Sequence, residues 1–408
     1  MALLLAGCGG HSGASARPPT LAEVSALLAR HGAAVTGHSG SKFLADVDAS
    51  GAATDFRTRQ SAEIAALAAV PLQSWSYQVS SPVTDGAALA AASKRFGAPA
   101  TIVHLSLQYQ LAGVDPEPSV HDLWWTFVRR GGSVFAAADD DLARTGGTSW
   151  RGPWDFGPVQ VYRGAASLVL SHPGSGVNPA AIGAAADAAV RAVSGVIGTG
   201  WAQRVGVVVT SSATELDALG GDSAVTDISA VTVFDLAPGA DGAPTGARVL
   251  LDPASVARLT PTGLATVLRH EITHIATAAA TTINSPRWLV EGLAEYVANL
   301  GDRRPPTTIA AELRREVVAG TVPAALPTDA EFAAGAARAA QAYEESWLAC
   351  RLIAARAGTA GLLRLYRTVG ASAAPGDGPV TTGMRAVLHE SVAQFVAQWR
   401  AYLTRTLR

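Results

Sequence analysis

The stretch LTPTGLATVLRHEITHIATAAA, residues 259–280, constrains the fold more than any other. It is apolar enough to want burial, yet His270, Glu271 and His274 lie within two turns of its middle. Thr260 followed by Pro261 reads as an N-cap with proline at the first helical position. From that start Val267, His270, Glu271, His274 and Ala278 recur three or four residues apart, the spacing of one helix face. A solvated helix face would make such groups unremarkable, but the flanking residues on both sides are apolar. Burying them without partners is unfavourable, so the chain must bring something to meet them. Side chains at i and i+4 stack one turn apart, so His270 and His274 can aim ring nitrogens at one point. Glu271, offset by about 100°, stands beside that point. Two imidazoles can hold a zinc ion, and the adjacent carboxylate can take a proton from water that the ion activates.

A second stretch, SPRWLVEGLAEYVANL (residues 285–300), supplies candidates for the meeting group. Ser285 and Pro286 form another cap-and-proline pair, which predicts a helix from there. Sixteen residues separate Glu291 from His274, enough for a turn and a return. Glu291 and Glu295 share a face, and on spacing alone either could reach the ion. Gly292 removes a side chain where the two helices have to approach closely.

The wording WLVEGLAEY is similar to the W-L-x-E-G-x-A signature of the gluzincin metallopeptidases, the thermolysin-like and aminopeptidase-like clan. It resembles bacterial peptidase MA-like domains in particular. The resemblance implies His270, His274 and Glu291 as zinc ligands and Glu271 as general base. Glu295 then occupies the position whose carboxylate orients a ligand imidazole. Such enzymes also need a donor for the oxyanion on the scissile carbonyl. Tyr343, in AAQAYEESWLACRLIAARAG, stands where related domains often carry a tyrosine. Tyr343 also suits plain packing, one turn from Trp347 with its hydroxyl at the core's rim.

At 408 residues the chain has room for two domains, and 49% hydrophobic against 16% charged residues suits packed cores rather than disorder. A formal net charge of −2 with no long basic run argues against nucleic acid as a partner. No run of eighteen uninterrupted apolar residues is present, so no spanning helix is expected. Two cysteines, Cys8 and Cys350, make no disulfide framework. Leu5-Ala6-Gly7-Cys8 resembles a bacterial lipobox, which implies lipidation of Cys8 and an extracytoplasmic, membrane-anchored protein with a Gly/Ser-rich tether to residue 18. The apolar run before Cys8 is shorter than a signal peptide needs.

Along the chain, TLAEVSALLARHGAAV and SAEIAALAAVPL read as helices. SWSYQV, ATIVHLSLQYQL, HDLWWTFVRR and GSVFAAADD read as strands, the last two joined at Arg130-Gly131-Gly132-Ser133. Helices followed by a curved sheet resemble the nuclear-transport-factor-like (SnoaL-like) cone fold, over residues 19–147. Gly, Pro and Trp mark residues 148–164 as a junction. Residues 165–408 then offer an alanine-rich helix, the strands RVGVVVT, AVTVFDL and ARVLLDP, and helices from Thr260 onward. The expected class is α+β: a cone-like domain, then a gluzincin-type domain with a small sheet followed by helices. The expected function is zinc-dependent hydrolysis of a peptide or protein, with Zn2+ as cofactor and membrane contact only through Cys8. The alternative is a binding or scaffolding lipoprotein with a catalytically inactive zinc domain, against which intact His270, Glu271, His274 and Glu291 speak.

Overall fold

The structure is a computed structural model that describes residues 17–221, 230–235, 245–333, 335–372 and 378–408; Cys8 and its neighbours lie outside the described residues. The fold is mixed α and β, with a sheet near the N-terminus and helices towards the C-terminus. The chain divides into two compact units. One comprises Met1–Ala68, Leu72–Gln110 and Val120–Gly157, the other Ala69–Pro71, Leu111–Ser119 and Pro158–Arg408.

In the first unit, α1 (Leu21–Thr36), α2 (Gly40–Ala45) and α3 (Thr54–Leu67) precede a four-stranded sheet of order β1-β2-β3-β4. Thr20 starts α1 through a capping box with Glu23. The strands are β1 (Leu72–Pro82), β2 (Ala100–Leu111), β3 (Ser119–Arg130) and β4 (Ser133–Ala138). In β2, Val103, Leu105, Leu107 and Tyr109 are all buried, as their alternation suggested. Gly131 and Gly132 both have positive φ, 53° and 88°, which lets a two-residue turn close the β3–β4 hairpin. In the first unit α2 went unread in the sequence, and so did α4 (Gly86–Phe96), between β1 and β2. The signals of α4 were present: Asp85 caps the N-terminus and Gly97, in the left-handed region, ends it. Much of the expected junction packs as ordinary structure, since Trp154 is 1% exposed and Ser149 is buried.

The second unit holds a five-stranded sheet of order β5-β6-β7-β9-β8. Its strands are β5 (Gln160–Arg163), β6 (Ser167–Ser171), β7 (Val205–Val209), β8 (Ala230–Asp235) and β9 (Thr245–Leu251). β6, β7 and β9 run parallel, while β5 and β8 pair antiparallel at the two edges. Between β6 and β7 lies α5 (Pro179–Ile197), which is long and apolar enough by length and composition to cross a membrane. Ile182, Ala186, Val190 and Val193 of α5 nevertheless lie in the core, and Asp187 accepts backbone hydrogen bonds from Ala165 and Ala166.

The helices that follow include α6 (Ala213–Gly220), α7 (Pro253–Val256), α8 (Pro261–Thr277) and α9 (Arg287–Ala298). Then come α10 (Pro306–Ile309), α11 (Ala311–Val318), α12 (Ala339–Gly370, broken at Gly358), α13 (Gly378–Leu388) and α14 (Val392–Leu407). α8 packs against α5, β8 and α9. α9 in turn lies along α12, so the two candidate site helices are backed by core on both sides. Gly292 serves that second contact, not the one expected from sequence. A β-carbon there would stand 2.5 Å from the Ser346 carbonyl oxygen and 2.8 Å from the Cys350 sulfur, both on α12. The glycine therefore lets α9 seat on α12, which sets how far Glu291 can lean towards α8.

Candidate metal centre

Thr260 caps α8 by accepting a hydrogen bond from the Gly263 amide at 3.1 Å, with Pro261 at the first helical position. α9 starts one residue later than the sequence suggested. Pro286 occupies the cap position, and the Ser285 hydroxyl accepts from the Thr282 amide instead. The turn between the helices brings Glu291 back over His270 and His274.

Three donor atoms converge. His270 Nε2 and His274 Nε2 are 3.1 Å apart, and Glu291 Oε2 is 3.3 Å from each. Around an ion bound tetrahedrally at about 2.0–2.2 Å, donors stand roughly 3.3–3.5 Å apart, so this triangle is close to one face of a zinc site. Two imidazoles and a carboxylate are also the donor set that zinc accepts. The residues present therefore fit the ion.

Two members of the triangle, His270 and Glu291, are held from behind. His270 Nδ1 donates to Glu295 Oε1 at 3.1 Å, which leaves the Nε2 lone pair facing the centre. Glu295 is steadied by Asn299, whose amide donates to Oε2 at 2.9 Å. Arg287 reaches the outer oxygen of Glu291, Oε1, at 3.4 Å. So Glu291 and Glu295, which spacing alone could not separate, take different places: one joins the triangle and the other braces a histidine. Glu271 is 8% exposed, and its carboxylate accepts a hydrogen bond from Thr232 of β8 at 2.7 Å. Tyr343, near the start of α12, sets its ring 6.2 Å from that of His270 and packs edge-on against Phe332.

The electrostatics follow from burial and these contacts. Burial alone would lower the His270 pKa, but Glu291 and Glu295 outweigh it and hold it well above the ordinary histidine value. Burial would raise the Glu291 pKa, yet His274 and His270 hold it well below the usual carboxylate range. A dication at the centre would take the place of the imidazole protons against the same carboxylates. Burial first, and the Glu291 charge second, push the Tyr343 hydroxyl up, so it stays a donor.

Sequence reasoning missed Thr232, Arg287 and Asn299. The last two stand four residues from Glu291 and Glu295, a spacing that could have revealed them. Thr232 gave no signal, because a strand edge reaches it to α8.

No protein-family model and no curated protein matches this chain. Among solved structures it is similar to a mutant two-domain M1 zinc metallopeptidase bound to L-arginine, at 13% identity and a TM-score of 0.37, over 81% of this chain and 71% of that one. An M1 zinc metallopeptidase mutant from Deinococcus radiodurans gives the same values. A further mutant from that organism, bound to a Tyr-Ser-Ala substrate, overlaps over the same shares at 13% identity and a TM-score of 0.36. Overlaps of this size leave the chemistry to be argued from the chain's own geometry.

Proposed function

We propose that the second unit is a zinc-dependent peptidase, with the ion held by His270, His274 and Glu291. The observation that carries this reading is the triangle of three donor atoms 3.1 to 3.3 Å apart, with Glu295 fixing the outer nitrogen of one histidine. Zinc held there supplies a Lewis acid that polarises a carbonyl and eases deprotonation of water. Glu271 takes the proton from the attacking water and returns it to the departing amine. Thr232 holds the Glu271 carboxylate while this happens, through its 2.7 Å hydrogen bond. The protonated Tyr343 hydroxyl donates to the oxyanion that forms on the scissile carbonyl. The test is hydrolysis of a fluorogenic peptide library by the full chain. Cleavage is expected, lost with chelator and restored by zinc; cleavage indifferent to chelator, or no cleavage of any peptide, counts against the reading.

The remaining expectations complete the proposal. Three helices ahead of a four-stranded sheet support a cone-like (SnoaL-like) first unit. The Leu5-Ala6-Gly7-Cys8 pattern supports a lipid anchor and an extracytoplasmic place for the protein. Labelled palmitate entering the wild-type chain but not Cys8→Ser tests the anchor.

A further inference from the structure

The first unit encloses a second polar cluster that the peptidase reading does not use. A cavity of about 20 Å³, room for one or two water-sized molecules, opens beside α3 and the inner face of the sheet. Its walls include the rings of Trp75, Tyr77, Trp125, Trp150 and Trp154. Among them stand three carboxylates, Glu63, Asp139 and Asp155, and one guanidinium, Arg151.

The charges do not balance. Asp139 is matched on both oxygens, by Arg59 at 2.6 Å and Arg151 at 2.6 Å. Asp155 accepts from the Gly152 amide at 2.8 Å and has Arg151 at 3.6 Å. Among the described residues Glu63, 7% exposed, accepts a side-chain hydrogen bond from the Gln60 amide alone and forms no ion pair. Counting Arg59, three acidic groups face two guanidiniums, and the surplus falls on Glu63. Burial first, and the Asp155 charge with it, push the Glu63 pKa well above the carboxylate range, although Arg151 draws it down. Two further oxygens at the cavity, Gln60 Oε1 and the Tyr77 hydroxyl, are buried with no hydrogen bond of good geometry, although the His31 ring interacts with Gln60 and the Trp75 indole with Tyr77. Oxygens so weakly satisfied leave acceptor capacity for a polar occupant.

Water could fill the space only with a proton held on Glu63. A small cation with N–H donors answers both deficits, since its protons can reach Glu63, Gln60 Oε1 and the Tyr77 oxygen. Aromatic faces attract such a cation through their negative quadrupole. The size of the cavity limits it to ammonium or a very short alkylammonium. We propose that this cavity is a binding site for ammonium or methylammonium, with Glu63 as its counter-charge.

The test uses the full chain in sodium buffer, titrated with ammonium or methylammonium chloride against sodium chloride at equal ionic strength. Tryptophan fluorescence should change saturably and the melting temperature should rise with either amine. Tetramethylammonium, which has no N–H and is too large, should do neither. Glu63→Gln keeps the shape and should bind about 10- to 100-fold more weakly, the loss of a charged hydrogen bond. Tyr77→Phe, which removes one neutral acceptor, should bind about five-fold more weakly and serves if Glu63→Gln fails to fold. The proposal is overturned if ammonium acts no differently from sodium, which leaves water as the occupant. It is equally overturned if tetramethylammonium matches ammonium, or if the folded variants bind as the wild type does.

Discussion

Glu291 in the second unit and Glu63 in the first are both glutamates less than a tenth exposed, and the chain treats them in opposite ways. Glu291 faces two imidazoles and an arginine, and its carboxyl is held well below the usual range. Glu63 faces an amide, with other carboxylates close by, and its carboxyl is pushed far above it. Burial acts in the same direction on both, so neighbours decide the outcome. The difference teaches where each cluster is complete. Around Glu291 the outward atoms of His270 and of Glu291 itself are each held by a second side chain. Around Glu63 the partners stop short, and the cluster is neutral only with a proton or a cation added.

The contrast breaks most easily at Glu291. Glu291→Ala removes a donor, and zinc affinity and peptide turnover should each fall by more than the roughly 10- to 100-fold typical of an outer partner. Isothermal titration with zinc and a peptide assay read both. Glu271→Gln should lower turnover by about 10²- to 10⁴-fold while zinc stays bound, because the amide cannot accept a proton. Near-native turnover there would remove Glu271 from the mechanism. Glu295→Ala should weaken zinc binding by about 10- to 100-fold, since His270 loses the group that orients it. If Glu295→Ala lost more zinc than Glu291→Ala, the ligand role would pass to Glu295.

The smallest effect sharpens the other side of the comparison. Asp155 beside Glu63 has its pKa raised from 3.8 to about 6, chiefly by burial. Its folded value exceeds its unfolded one, so between them the folded chain keeps a proton that the unfolded chain has lost. The Asp155 contribution is then fully present below about 4 and is lost as pH rises to about 6. Glu63 contributes in the same sense over its own raised range, while His31, whose pKa burial lowers from 6.5 to about 4, contributes in the opposite sense. Chemical denaturation of the wild type and of Asp155→Asn, followed through the tryptophans of the first unit without added amine, should show the wild type losing stability relative to the variant between pH 4 and 6. A difference that instead grows in favour of the wild type from pH 4 to 6 would mean that the Asp155 carboxyl is charged and paired.

Legibility in the sequence followed the range of the interactions. The two site helices were readable because their caps, their apolar faces and the spacing of His270, His274 and Glu291 are all local. The bracing by Arg287 and Asn299 is equally local and was passed over. Helix α4 was lost inside an alanine-rich run, although Asp85 and Gly97 mark both its ends. Strand β5 was absorbed into a segment that looked like linker, because Gly, Pro and Trp stand next to it, and β6, just past that segment, was not read. Thr232 and the first-unit cavity were beyond reach. Thr232 meets Glu271 from a sheet edge, 39 residues earlier in the chain. The cavity gathers rings and carboxylates from α3, β1, β3 and the Trp150–Asp155 turn, which only the fold brings together.

Elemental analysis of the full chain, purified without chelator, tests the central claim most directly. One zinc per chain is expected in the wild type and in Glu271→Gln, and none retained in Glu291→Ala. A folded wild-type protein that carries no metal and takes up no zinc on titration would contradict it.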